Sequence, residues 1–251
     1  MQALHYEFEP DQEKQPAIGL VVLQSDETME HELKLWLPAH YRLFHSRIPN
    51  DACIGEDSLQ AMHARLPNAV ALLPSHTQFK VIVYGCTSAS TVIGEEAVTE
   101  AVRSVYPDVA VTNPFTALKV RLQHIEARRI ALLTPYVPEV SAALVEKLNT
   151  AGFRVINSAS FNEAMDDRVA RISQQSLLDA VQLLATRDPV DAVVASCTNL
   201  RTHAIVEQAS AACGCEVISS NSALAWHIRS LVEEPATMAD SSTATVSFDQ
   251  Q

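Results

Sequence analysis

Residues 81–90 read VIVYGCTSAS, an apolar run that closes on Gly85 and places a thiol, Cys86, among small hydroxyl side chains. A short continuous apolar run ending in a turn signal is the mark of a strand buried on both faces, as parallel sheets require. Residues 191–202, DAVVASCTNLRT, repeat the design around Cys197. Two cysteines in matching settings suggest a pair rather than two accidents.

Working outward, IGLVVL at 18–23 matches IALLTP at 130–135, and TNPFTAL at 112–118 echoes SSNSAL at 219–224. These offsets, like that between the cysteines, are all close to 110 residues. A fixed offset predicts two similar lobes related by a pseudo-twofold axis, with Cys86 and Cys197 facing each other across a cleft.

Further apolar runs at 17–23, 79–85, 109–114, 128–136, 153–159, 191–197 and 215–221 read as strands. Amphipathic stretches around Leu33–Leu37 and at 95–106, 115–125, 141–152, 168–186, after Asn199 and at 222–232 read as helices. This alternation predicts an α/β protein with a mainly four-stranded parallel sheet in each lobe, flanked by helices. The expected division is an N-terminal extension at 1–15, a first lobe at 16–114 joined by about 215–232, a second lobe at 115–214 and a mobile tail at 233–251.

The net charge is −12 and no Lys/Arg cluster stands out, which argues against nucleic acid as a partner. No apolar run approaches the ~18 residues that would cross a bilayer, and the N-terminus lacks the basic start and apolar middle of a secretory signal. Membrane partners are therefore not expected, and the cytoplasm is the expected location. Five cysteines, an odd number, argue against a disulfide framework. Cys213-Gly214-Cys215 has no histidine at zinc-ligand spacing, so no metal site is expected, and these thiols and Cys53 read as incidental.

Ligands of open parallel sheets collect beyond the carboxyl ends of the strands, where Cys86 and Cys197 sit. Thr87-Ser88 and Thr198-Asn199 are expected to lead into helix N-termini, whose N–H groups and dipole favour a carboxylate and lower a thiol pKa. Two thiols flanking a small acid could exchange a proton at carbon, giving racemisation or epimerisation without a cofactor. Alternatively, one could add to an activated double bond while the other handles the proton, giving cis–trans isomerisation through a covalent adduct.

GCTSAS around Cys86, SCTNLRT around Cys197, TPY at 134–136 and SSNSALAWH at 219–227 together resemble the aspartate/glutamate racemase superfamily. The likeness spans about residues 16–232 and is nearest to the branch holding maleate cis–trans isomerase, arylmalonate decarboxylase and the ectoine-utilisation proteins. It implies two lobes with the active site between them, no metal or organic cofactor, two catalytic cysteines and a homo-oligomer. It also implies that Thr87, Ser88, Tyr136 and Thr198 donate to a substrate carboxylate. Arylmalonate decarboxylases typically keep only the cysteine at the Cys197 position, so Cys86 counts against simple decarboxylation.

LQSDETME at 23–30 departs from the Pro-Ser-Ser-Asn pattern of maleate isomerases by placing Asp26 where an asparagine grips a carboxylate. Asp26 is read either as a contact to a positively charged or hydrogen-bond-donating part of the substrate or as a helix cap. Asn199 and Arg201 complete the candidate binding set, with Arg201 equally readable as a solvated charge. Tyr136 could instead be a lobe-interface aromatic, and Asn221 could line the cleft or shape its turn. The reading is a cofactor-independent isomerase acting at the carbon next to a carboxylate of a small, nitrogen-bearing acid. Maleate-type isomerisation and a noncatalytic binding protein are the alternatives.

Overall fold

The computed structural model describes residues 1, 3–8, 14–51 and 56–233, the side chains of residues 56, 57 and 59 excepted. Cys53 and residues 234–251 of the expected tail lie outside the described residues.

The first half of the chain runs β1 (Ala17–Leu23), α1 (Met29–Trp36), β2 (Arg42–Ile48), α2 (Glu56–Val70), β3 (Phe79–Gly85), α3 (Thr87–Ile93), α4 (Glu95–Arg103) and β4 (Ala110–Thr112). The second runs α5 (Pro114–His124), β5 (Arg129–Thr134), α6 (Pro138–Thr150), β6 (Arg154–Ser160), α7 (Asp166–Val169), α8 (Gln174–Arg187), β7 (Ala192–Ala195), α9 (Val206–Cys213), β8 (Glu216–Ser219) and α10 (Ser220–Glu233). The strands form two four-stranded parallel sheets of the same order, β2-β1-β3-β4 and β6-β5-β7-β8. The two halves therefore carry one topology twice, as the 110-residue offset implies.

Strand periodicity sorts the core into three layers. Ile18, Leu20 and Val22 of β1 and Ile130 and Leu132 of β5 face one shared central core with Leu118 and Leu122 of α5 and Leu224 and Ile228 of α10. The alternate residues, Val21 and Leu23 or Ala131 and Leu133, face an outer core that belongs to one sheet alone. Both sheets are thus covered on both faces, which explains their unbroken apolar runs. The helix pair that follows β4 and β8 packs together at the centre of the molecule.

Local signals set the helix ends. Asn113 caps α5 by accepting from the Thr116 N–H at 3.0 Å, with Pro114 at the first helical position. Ser173 does the same for α8 through the Ser176 N–H at 3.1 Å. Gly152, at φ +90°, turns the chain out of α6 into β6. The helix expected over 168–186 is divided into α7 and α8.

The proposed lobe division needs one correction. The segment 215–232 is expected in the first lobe, yet β8 pairs in parallel with β7 and is the edge of the second sheet. Only α10 crosses back, packing on β3 and β4 of the first sheet. The edge strand β2 and helix α2 are additions, because RLFHSRI in β2 carries two arginines and a histidine and is only partly buried.

Gly85, the last residue of β3, is tightly enclosed: a Cβ there would overlap Met29 Sδ, so that Met29 would have to shift, and would sit 3.2 Å from the Val21 carbonyl. Overpacking of this kind costs about 1–3 kcal/mol. Gly85→Ala is therefore expected to lower the unfolding free energy by that amount, read as a lower urea midpoint at an unchanged m-value.

Candidate active site

Gly85 delivers Cys86 to the start of α3, where the cysteine is the N-cap and its Sγ accepts from the Ala89 N–H at 3.4 Å. The Ser88 hydroxyl lies 3.6 Å from the same sulfur. At the end of β7, Cys197 accepts from the Asn199 N–H at 3.4 Å. Both sulfurs line one internal cavity, shared with Thr87, Ser88, Tyr136 and Thr198. Six of the nine residues proposed from sequence thus meet at one place.

The two cysteine settings differ in one respect. Cys86 leads into α3, but Cys197 leads into a tight turn, and α9 begins only at Val206. The expectation of a helix N-terminus behind Cys197 is corrected accordingly. The turn is held instead by hydrogen bonds to the segment before α1 and to the start of α7. Asn199 Oδ1 accepts from the Glu27 N–H at 2.9 Å, its carbonyl accepts from Thr28 Oγ1 at 3.1 Å, and its Nδ2 donates to the Asp166 carbonyl at 2.9 Å. Asn199 is buried and spans the lobes without lining the cavity.

A second strut backs the same turn. Glu32, 3% exposed, accepts from the Thr202 N–H and hydroxyl, the His203 N–H and Asn221 Nδ2. Asn221 Nδ2 also donates to the Thr198 carbonyl at 2.7 Å. A carboxylate is acceptor-only, so its oxygens can satisfy several donors in one buried cluster. Asn221 therefore shapes the turn rather than the cavity wall.

Asp26 is set back from the cavity wall. Its Oδ1 accepts the N–H groups of Thr28 and Met29, both at 2.8 Å, which is a helix-capping role. Its Oδ2 is buried with no hydrogen-bond partner. The nearby Thr198 hydroxyl eases the charge slightly but directs its own bond, at 3.4 Å, to the Gly85 carbonyl. Arg201 is exposed, reaches the Ile172 carbonyl at 3.4 Å and is not part of the cavity.

Asp166, Asn50 and Asp51 also line the cavity and were not singled out in the sequence. Asp166, at the start of α7, is 3% exposed and accepts from Ser25 Oγ through its Oδ2. Ser25 in turn pairs with Asn50, whose Nδ2 donates to Ser25 Oγ at 2.8 Å. The sequence MDDRV at 165–169 has the form of an ordinary acidic helix start, so no local signal marks its burial.

The electrostatics oppose charge. Burial pushes the Cys86 thiol up to about 12, with Asp166 and Asp26 raising it further and the Ser88 hydroxyl and Ala89 N–H easing it. Cys197 is raised well above the usual thiol range by burial and Asp166, and is eased by the Tyr136 hydroxyl. The thiol activation expected from helix dipoles is thus outweighed by desolvation in the closed cavity. Asp26 is raised to about 6, chiefly by burial, and Asp166 is raised for the same reason. The free volume is about 20 Å³, room for a single water.

Elsewhere, His227 is a packing residue whose Nδ1 meets Thr112 Oγ1 at 2.8 Å. Cys213 and Cys215 are half-buried free thiols. Among the described residues no cluster of His, Cys, Asp and Glu is placed to hold a metal, and no helix is long and apolar enough to cross a membrane.

Asp26 carries a signed stability prediction. Its pKa is about 6 folded against 3.8 ordinarily, so the native state binds this proton more tightly. That contribution is complete below the ordinary value and is lost as pH rises through the folded one, about 3 kcal/mol in all. Asn caps a helix as well as Asp. Asp26→Asn should therefore match wild type in urea denaturation near pH 4 and gain stability over it by pH 8.

The sequence matches the arylmalonate decarboxylase family over residues 60–244. It is 27% identical over 228 residues to a maleate isomerase of Nocardia farcinica, covering 87% of this chain and 90% of that one. A maleate isomerase of Alcaligenes faecalis is 25% identical over 218 residues, covering 81% and 85% of the two chains. The crystal structure of a cysteine-to-serine mutant of the Nocardia farcinica maleate cis-trans isomerase, with a covalently bound succinylcysteine intermediate, superposes with a TM-score of 0.80. It is 27% identical, with 88% of this chain and 94% of that one covered. Two parallel sheets of one topology, a thiol from each half at the same cavity, and a family match over most of the chain agree: this chain belongs to the arylmalonate decarboxylase family and is an enzyme of the aspartate/glutamate racemase superfamily.

Proposed function

We propose that the chain is an isomerase that works without a cofactor, with Cys86 and Cys197 acting on the carbon next to a carboxylate of a small, nitrogen-bearing acid. The observation that carries this reading is the convergence of both thiols on one cavity with the hydroxyls of Thr87, Ser88, Tyr136 and Thr198. The hydroxyls hold the carboxylate, and the thiols flank the reacting carbon. One sulfur, as thiolate, takes the hydrogen from carbon while the opposite thiol gives its proton to the other face. Charge is conserved, and the thiolate ends on the far side.

Thiolate formation is the difficult part, since burial holds both thiols protonated. The rate is therefore expected to climb with pH on the alkaline side of neutrality. Asp26 and Asp166, near the sulfurs, support the nitrogen on the substrate, because an ionised carboxylate repels a second carboxylate and attracts an N–H. In this reading the enzyme is a cytoplasmic homo-oligomer allied to the ectoine-utilisation proteins.

A second reading is favoured by the succinylcysteine of the Nocardia farcinica neighbour and by the names of both curated relatives. Cys86 thiolate adds to one carbon of a maleate-type double bond, and Cys197 delivers its proton to the other carbon. Rotation about the new single bond, return of the proton to Cys197 and breaking of the C–S bond then yield the trans acid.

Incubating amino acids, maleate and ectoine-derived acids in heavy water separates these readings. Deuterium at the α-carbon is expected for the first, and a mass gain on Cys86 for the second. Alanine at either Cys86 or Cys197 should lower turnover at least a thousandfold; full activity in either variant would sink both.

A further inference from the structure

Beyond the two sulfurs, the charged lining of the cavity is one-sided. Asp166 and Asp51 belong to it, whereas no Lys, Arg or His does among the described residues. Behind the wall stands Asp26, 3% exposed, with an unpartnered Oδ2. Both Asp26 and Asp166 lie close enough to both thiols to disfavour their ionisation, so two buried carboxyls flank the reacting centre.

Asp166 is also held in place. Ser25 Oγ donates to its Oδ2, Ser25 is fixed by Asn50, and Asn199 Nδ2 anchors its carbonyl at 2.9 Å. A buried carboxylate held by Ser25 keeps lone pairs with which to accept a further donor. A plain dicarboxylate would bring a negative oxygen to that place with no cation in the wall to offset it. An acid whose second polar group is an amide or amine would bring N–H instead.

We infer that Asp166 determines specificity by accepting an N–H from the end of the substrate remote from the carboxylate held by the hydroxyls, so that the monoamide or amine of a short diacid is preferred to the diacid itself. This rests on the isomerase reading for the placement of the substrate, but concerns binding rather than the chemical step. A site built to accept a hydrogen bond discriminates sharply against a ligand that lacks the donor, because its own polar group is then left unpaired.

The test uses succinate and succinamate, a saturated pair of equal size that differs only in one terminal group. Titration calorimetry on the Cys86→Ser protein should show succinamate binding at least tenfold more tightly than succinate. Adding Asp166→Asn should bring the ratio below threefold or invert it, because an amide side chain can donate to a carboxylate. Should that variant not fold, Ser25→Ala, which releases the carboxylate from its anchor, should reduce the ratio at least threefold.

Equal or tighter binding of succinate, failure of succinamate to bind, or a ratio indifferent to both Asp166→Asn and Ser25→Ala would overturn the assignment. The heavy-water experiment judges the reaction separately. Loss of the two-thiol chemistry with the binding preference intact would count against the isomerase reading alone.

Discussion

The molecule depends on the apolar layer shared by its two sheets. Ile18, Leu20 and Val22 from one side and Ile130 and Leu132 from the other have no other way to leave water, and α5 with α10 fills the space between them. At roughly 25 cal/mol per Å² of apolar surface, a layer of this kind outweighs any single polar contact in the site. Its consequence is geometric. Once the halves share a core, the carboxyl ends of β3 and β7 are brought to one cavity, and the residue after each strand end becomes part of a common wall.

Polar groups then refine what the apolar layer imposes. The turn after Cys197 has no helix to hold it, and its support comes from Asn199 and Glu32, each of which bonds residues at least 170 positions away. Buried polar networks of this kind specify one arrangement because every alternative leaves a donor or acceptor unpaired. The quasi-symmetry of the fold is therefore broken at the site: one sulfur sits at a helix start and the other in a tethered turn. Two chemically different thiols suit a reaction in which one gives a proton and the other takes one.

Desolvation is the opposing force. A cavity with room for one water holds both thiols protonated, so the proposed thiolate chemistry has to overcome the burial of its own groups. Burial likewise makes Asp26 and Asp166 costly to the fold, so their presence beside the sulfurs is a burden that packing alone would not select.

Much of the architecture was legible along the chain. Apolar runs ending in Gly-Cys or Ser-Cys, the 110-residue offset and the cap at Asn113 are local patterns, and local patterns are what strand burial, repetition and helix starts leave in a sequence. The edge strand β2 escaped because its exposed face lets arginine and histidine interrupt the pattern. In the site, Cys86, Cys197, Thr87, Ser88 and Thr198 could be named in advance, since each adjoins the end of a readable strand, whereas Tyr136 was named by the family resemblance. Asp166 could not: MDDRV looks like any solvated helix start, and only the approach of Ser25 and Asn199 from distant segments encloses it. Asp26 was visible as a residue but not as a position, for whether its second oxygen meets solvent, substrate or nothing depends on how α1 seats against the Cys197 turn. Sequence periodicity thus establishes the sheets and their pairing of thiols, because these follow from nearest neighbours along the chain. The depth of the carboxyls and the resting protonation of the sulfurs arise from long-range closure, because solvent exclusion belongs to the assembled volume and to no segment within it.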